Sequence, residues 1–302
     1  MGQDFLVLSL VPILIGILAA VSCALPGNFL LLRRQAMMGD MMAHSVLPGL
    51  IVGFLLTGQV SGWVMFAGAG VAALISALMV EGVVRLARVD PGAAMGMTFT
   101  TMFASGVLLL ELTGASGVHL DVEHALYGNL ESLIWLDAQG WASLIDPVAL
   151  AGLPPELAQL GVVVILLAVL MWVFWRPLVM ASFDAGHAAV LGLPVGAISL
   201  GVVAATAMAS VAAFTAVGSI LTIAMLICPP ATARLLTNRL GVQVFLSVVI
   251  AALSAVLGYV LAGFGPQWLG MSGAVSAAGM IAVTSGVLLA LAAVFGPHRK
   301  AG

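Results

Sequence analysis

Between Arg239 and Arg299 the chain has no Asp, Glu, Lys or Arg, and apolar residues fill most of the interval. In water such a run would leave apolar patches far beyond the few hundred Å² that soluble monomers tolerate. Within a bilayer it has a simple solution. A spanning helix needs roughly 20 mostly apolar residues, so the interval holds two. Helices are the form it takes, because each backbone N–H and C=O must then be paired within its own segment. The rest of the chain follows the same rule: 63% of its residues are hydrophobic and 7% charged, against about 25% charged in soluble domains. The mean hydropathy is +1.23. The expected fold class is all-α, a polytopic transmembrane bundle.

The apolar pattern predicts spans at about 5–31, 42–58, 62–82, 93–112, 160–176, 195–214, 217–236, 242–264 and 272–295. The block 195–236 reads as two spans or as one span plus a re-entrant piece, so the count is eight or nine. The N-terminal run lacks a positive region before it and reads as a first span rather than a cleaved signal peptide. With the N-terminus outside and the C-terminus in the cytoplasm, Arg33, Arg34, Arg85, Arg88, Arg176, Arg234, Arg239, Arg299 and Lys300 all fall inside. The outer region 114–159 then carries Asp121, Glu123, Glu131, Asp137, Asp146 and Glu156 and no basic residue. Trp63, Trp135, Trp141, Trp172, Trp175 and Trp268 fall near span ends or in that outer region, as an aromatic belt would. Glycine is frequent, 35 residues in all, and small residues let helices pack closely where no hydrophobic drive separates helix from lipid. Cys23 and Cys228 lie in apolar runs and read as small buried residues. A net charge of −3 gives no reason to expect nucleic-acid binding.

Against this background the ionisable residues stand out. In "RRQAMMGDMMAHSVLPGL", Asp40 and His44 are four residues apart and share one helix face. A carboxylate oxygen and an imidazole nitrogen suit manganese, iron(II) or zinc. Two ligands leave the shell incomplete, and a second copy of the helix across a dimer axis would bring four. On the residues alone, an Asp–His hydrogen bond or an acid at a helix N-terminus is the simpler account. The outer stretch "HLDVEHALYGNLE" gathers His119, Asp121, Glu123, His124 and Glu131, a metal or proton site or simply a solvated loop. In "WRPLVMASFDAGHAAVLGLPVG", Asp184 can cap a short helix that Gly192 and Pro194 end. Pro229 and Pro230 predict a broken helix within 216–240. The Met37, Met38, Met41 and Met42 stripe reads as packing. No GxxxxGK[ST], HExxH, GxSxG or CxxC motif occurs, so the chain reads as no enzyme and holds no nucleotide site of its own.

Four stretches in order, "GDMMAHSVLPGLIVGFLL", "HLDVEHALYGNLE", "SFDAGHAAVLGLPV" and "AVGSILTIAMLICPPATARLL", resemble the permease subunits of metal-importing ABC transporters, across residues 25–296. The resemblance implies a type II importer permease: one transmembrane domain over 1–302, with an outer loop region at 114–159 and a cytoplasmic coupling helix at 180–196. It implies a transported ion, Mn²⁺, Zn²⁺ or Fe²⁺, and no permanently bound cofactor. It implies ABC ATPase subunits docking at Ser182, Phe183, Asp184 and Gly192, and a periplasmic or extracellular metal-binding protein. A second permease, identical or a sister chain, completes the pathway in the bacterial inner membrane, where lipid surrounds it. Asp40 and His44 match the positions that the family uses for the ion. Cys228 departs from the aliphatic residue usual before the prolines. A proton-coupled secondary transporter is the alternative; it would need buried relay residues, and beyond Asp40 and His44 the span interiors hold few.

Overall fold

The computed structural model describes residues 5–35, 37–57, 63–113, 130–138, 140–268, 270 and 275–297. Among them there is no β-strand, and eight helices are long and apolar enough to cross a membrane. Helix α1 (Val11–Leu32) is entered through a π-helical stretch, Leu6–Leu10. It is followed by α2 (Met37–Thr57), α3 (Trp63–Ala87) and α4 (Pro91–Thr113). Short 3₁₀ turns at Leu130–Ser132 and Trp141–Leu144 lead to α5 (Pro147–Ala151) and α6 (Pro155–Val173). Two short helices, α7 (Trp175–Phe183) and α8 (Ala185–Val190), precede the long α9 (Val195–Leu236). Helices α10 (Leu240–Trp268) and α11 (Ala277–Phe295) complete the bundle.

Helix α1 is the axis. Every residue from Ala19 to Leu30 is buried, and the helix packs against α6, α9 and α10. Its contact with α9 is close because Gly27 has no side chain. A Cβ there would overlap the Leu226 carbonyl and lie 3.1 Å from Pro230 Cγ. Pro230 has no N–H to give the carbonyl four residues back, so the oxygen of Leu226 loses its helical donor and lies against Gly27 instead. A second crossing, of α2 over α3, uses the same device. Gly49 and Gly68 face one another, and a Cβ on either would overlap the other's backbone. Between α1 and α10 polar side chains supply the attraction. Asn28 Nδ2 donates to Ser247 Oγ (2.7 Å) and Gln243 Nε2 donates to Asn28 Oδ1 (3.0 Å), with all three side chains fully buried. Such bonds are a main source of helix cohesion in a medium as apolar as the side chains.

At 42 residues α9 would run about 63 Å if straight, twice the hydrocarbon thickness. It is divided at Gly218, whose φ of 79° and ψ of 176° are not helical. Both ends return to one end of α1: Pro194, Ala197 and Ile198 share a crevice with Pro26 and Phe29, while Leu226 and Pro230 abut Gly27. The block is therefore two arms joined at a fold, and the break lies at Gly218 rather than at the prolines. Pro229 and Pro230 sit inside the helix and are buried. A positive φ with extended ψ suits glycine, whereas two prolines already have a helical φ and remove only donors.

Two expectations about side chains also change. Trp135 is not in a lipid-facing belt. It is buried, and its indole N–H donates to the Ala149 carbonyl at 2.8 Å, pinning the stretch before α5. Glu131, one of the outer acids, accepts a hydrogen bond from the backbone N–H of Ala277 at the start of α11. A carboxylate is favourable at a helix N-terminus.

A branched residue at position 27 has no room. Gly27→Val is expected to cost several kcal/mol, beyond the roughly 1–3 kcal/mol of ordinary overpacking. Thermal unfolding of the detergent-purified protein should show a large fall in midpoint, or the variant should fail to accumulate. Gly82→Ala, with nothing within 4 Å of its Cβ, should hold the midpoint or raise it slightly, since a helix interior favours alanine over glycine by up to about 1 kcal/mol. Trp135→Phe should lose about 1 kcal/mol, the worth of one buried hydrogen bond.

Candidate functional site

Helix α2 begins at Met37, five residues before the expected span, so Asp40 and His44 both lie within its first two turns. Their spacing makes them neighbours on one face, and His44 Nε2 stands 3.5 Å from Asp40 Oδ1. That separation is long for a hydrogen bond. It suits two donors to a shared ion: with bonds of about 2.1 Å, atoms 3.5 Å apart subtend about 113°, near the tetrahedral angle. The His44 side chain is 17% exposed and that of Asp40 40%, so the carboxylate is the open end of the pair.

The opposite side of α2 anchors it. Met38, Met41, Met42 and Val46 are buried in the main core, as packing rather than as ligands. Leu47 and Pro48 close against Gly106 of α4, and Ile51 packs with Leu110 one turn on. This register brings Phe99 and Phe103 of α4 to His44. Their ring centroids lie 5.0 and 5.7 Å from the imidazole, both edge-on, and the two phenyl rings stack on one another at 6.1 Å. The imidazole is thus walled on one side by aromatic rings that fix its orientation and keep water off it. The sequence reading did not single out this pair. Its signal was present, because Phe99 and Phe103 share the i, i+4 spacing of Asp40 and His44.

Among the described residues no group of three or more His, Cys, Asp or Glu could hold a metal. Asp40 and His44 form part of a shell. His119, Asp121, Glu123 and His124 lie outside the described residues.

The second candidate region lies beyond the spans. Asp184 is extended (φ −147°, ψ 90°), and its Oδ1 accepts the N–H of His187 at 2.8 Å, capping α8. Gly192, with φ of +80°, follows its end. Phe183, Val190 and Leu191 are all exposed at this turn, an apolar tip uncovered among the described residues. Ser182 is tied back to the bundle: Arg33 Nε donates to its Oγ at 3.2 Å. Burial lowers the Arg33 pKa from the usual guanidinium value. Trp175 adds an edge-on contact to Phe29, with centroids 6.3 Å apart. The α7–α8 segment therefore connects directly to the end of α1, six residues before α2 enters the site region at Gly39.

The chain is 40% identical over 282 residues to the manganese transport system membrane protein MntD of Bacillus subtilis, covering 93% of this chain and 90% of that one. It is 34% identical over 287 residues to the zinc transport system membrane protein TroD of Treponema pallidum, covering 95% and 74%. Among solved structures it superposes on a chain of PsaBC from Streptococcus pneumoniae, determined with a Fab, with a TM-score of 0.76, 26% identity and coverage of 96% and 92%. The family model described as the ABC 3 transport family matches residues 7–139 and 149–296, and the chain belongs to that family.

Proposed function

We propose that the chain is the membrane-spanning permease subunit of an ATP-driven importer that brings a divalent transition metal, manganese, zinc or iron, into the cytoplasm. The observation that carries the site assignment is the Asp40/His44 pair: an oxygen and a nitrogen donor 3.5 Å apart on one helix face, in a chain with few other intramembrane charges. Ionisable groups within spans are functional by default. Relatives named for manganese and zinc transport support a metal as cargo, and membership of an ABC transport family favours ATP drive over the proton-coupled alternative.

In this reading the N-terminus is outside and the C-terminus is cytoplasmic, which puts every basic residue inside. Residues 114–159 form the outer region that meets a metal-binding protein. Residues 180–196 form the coupling element. ATPase subunits, which hydrolyse the nucleotide, seat on Ser182, Phe183, Asp184 and Gly192, and the exposed Val190 and Leu191 extend that contact. A second permease, identical or a sister chain, contributes its own Asp/His pair and completes a shell of four donors on the pathway. Nitrogen/oxygen sites bind zinc more tightly than manganese or iron(II), so selection of the ion falls to geometry and to the binding protein.

Two experiments test this. In proteoliposomes containing the whole complex, Asp40→Ala and His44→Ala should each lower ATP-driven uptake of manganese and zinc by roughly tenfold or more, since losing even a residue that only supports a metal ligand costs about that much. Uptake at the normal rate by correctly inserted variants would remove the pair from the pathway. For docking, Asp184→Lys removes the cap, a loss of about 1 kcal/mol to α8, and should sharply reduce ATPase co-purification. Asp184→Asn keeps an oxygen for the His187 N–H and should retain it. Equal recovery of ATPase by both variants and the parent would place docking elsewhere.

A further inference from the structure

Helix α7 meets the end of α1 through two side-chain contacts. At its start, Trp175 lies edge-on to Phe29, with centroids 6.3 Å apart. At its end, next to the exposed Phe183, Ser182 Oγ accepts a hydrogen bond from Arg33 Nε at 3.2 Å. The first contact is apolar and non-directional. The second is directional, because the planar guanidinium fixes where its donors point. Arg33 is half-buried, and its Nη2 is buried with no hydrogen-bond partner among the described residues. Among those residues, Ser182 is therefore the acceptor that holds the guanidinium in place.

The backbone beyond Arg33 is tightly bonded. The N–H of Arg33 donates to the Phe29 carbonyl (3.1 Å), that of Arg34 to Leu31 (3.1 Å) and that of Gln35 to Leu30 (2.9 Å), closing the last turn of α1. Arg34 supplies the reversal with a φ of 57°, a conformation uncommon outside glycine. The Gln35 carbonyl then accepts the N–H of Met38 at 3.0 Å, in the first turn of α2. Asp40 follows two residues later. Hydrogen bonds thus run from Ser182 to the first turn of α2. We propose that Arg33 is the positioning residue that couples the α7–α8 segment to the Asp40/His44 pair, acting through its bond to Ser182. The proposal rests on the importer reading above. A shift of α7 along α1 draws on the guanidinium, and the bonded turn passes the shift to the start of α2. His44 is held from α4 by Phe99 and Phe103, so the change falls on its 3.5 Å separation from Asp40, and hence on the grip on the ion.

The test is transport by the whole complex in proteoliposomes, read as manganese or zinc ions imported per ATP hydrolysed. Arg33→Met keeps the apolar stem and removes every donor, while Ser182→Ala removes the acceptor alone. Each should lower the ratio by roughly fivefold or more, the lower end of allosteric couplings, and the Arg33→Met complex should still co-purify with its ATPase subunits. The double variant should be no worse than Ser182→Ala, because both changes remove one bond. Arg33→Lys keeps a donor and should hold the ratio closer to the parent's than Arg33→Met does. A parental ratio in Arg33→Met would overturn the proposal, as would a parental ratio in Ser182→Ala if Arg33→Met fails to accumulate. Losses that add in the double variant would overturn it too. So would a joint fall of uptake and ATP hydrolysis at an unchanged ratio, which would give Arg33 a role in assembly alone. A parent complex that imports neither ion would instead overturn the importer reading.

Discussion

The contact of Gly27 with the Leu226 carbonyl sets the arrangement of the rest. In a bilayer no hydrophobic force draws one helix to another, so cohesion comes from close backbone approach and a few polar bonds. Pro230 frees the Leu226 oxygen, and Gly27 leaves it a place to rest. That contact holds the second arm of α9 on α1. The fold at Gly218 then brings the first arm back to the same helix. On its other side α1 is held to α10 by the Asn28, Gln243 and Ser247 bonds. The buried axis created in this way fixes where α2 must start, because the backbone turns immediately after Arg33 and Gly39 packs on Leu226.

The position of α2 gives the Asp40/His44 pair its character. Asp40 and His44 share a face of α2 whose opposite side, with Met38 and Met42, is buried in the core. Phe99 and Phe103 hold the imidazole from α4, leaving the carboxylate more open than the ring. The pair so built is held by its own chain on one side and is open on the other. The α7–α8 segment reaches the end of α1 through the Arg33–Ser182 hydrogen bond. That bond ties the α7–α8 segment to the end of α1, close in sequence to the Asp40/His44 pair.

Much of this was legible in the sequence, for physical reasons. Span positions follow from hydropathy because lipid allows almost no other solution. The shared face of Asp40 and His44 follows from helical spacing alone, and Asp184 as a cap follows from its place before a short helical run. What the sequence left hidden depends on tertiary contact. Two consecutive prolines suggested a break in α9, yet the break is at Gly218, since only packing decides whether a freed carbonyl finds a substitute contact. Trp135 matched the composition of a belt and is instead a buried pin. Phe99 and Phe103 carry no sign of their role until the crossing of α4 on α2 places them at His44.

The central claim is that the cargo ion is held by Asp40 and His44. X-ray absorption spectroscopy of manganese or zinc trapped in the assembled complex reads that shell directly. The account predicts oxygen and nitrogen donors with the outer-shell scattering of imidazole, lost in His44→Ala, and no sulfur. A shell containing sulfur, or one whose imidazole signal survives His44→Ala unchanged, would contradict it.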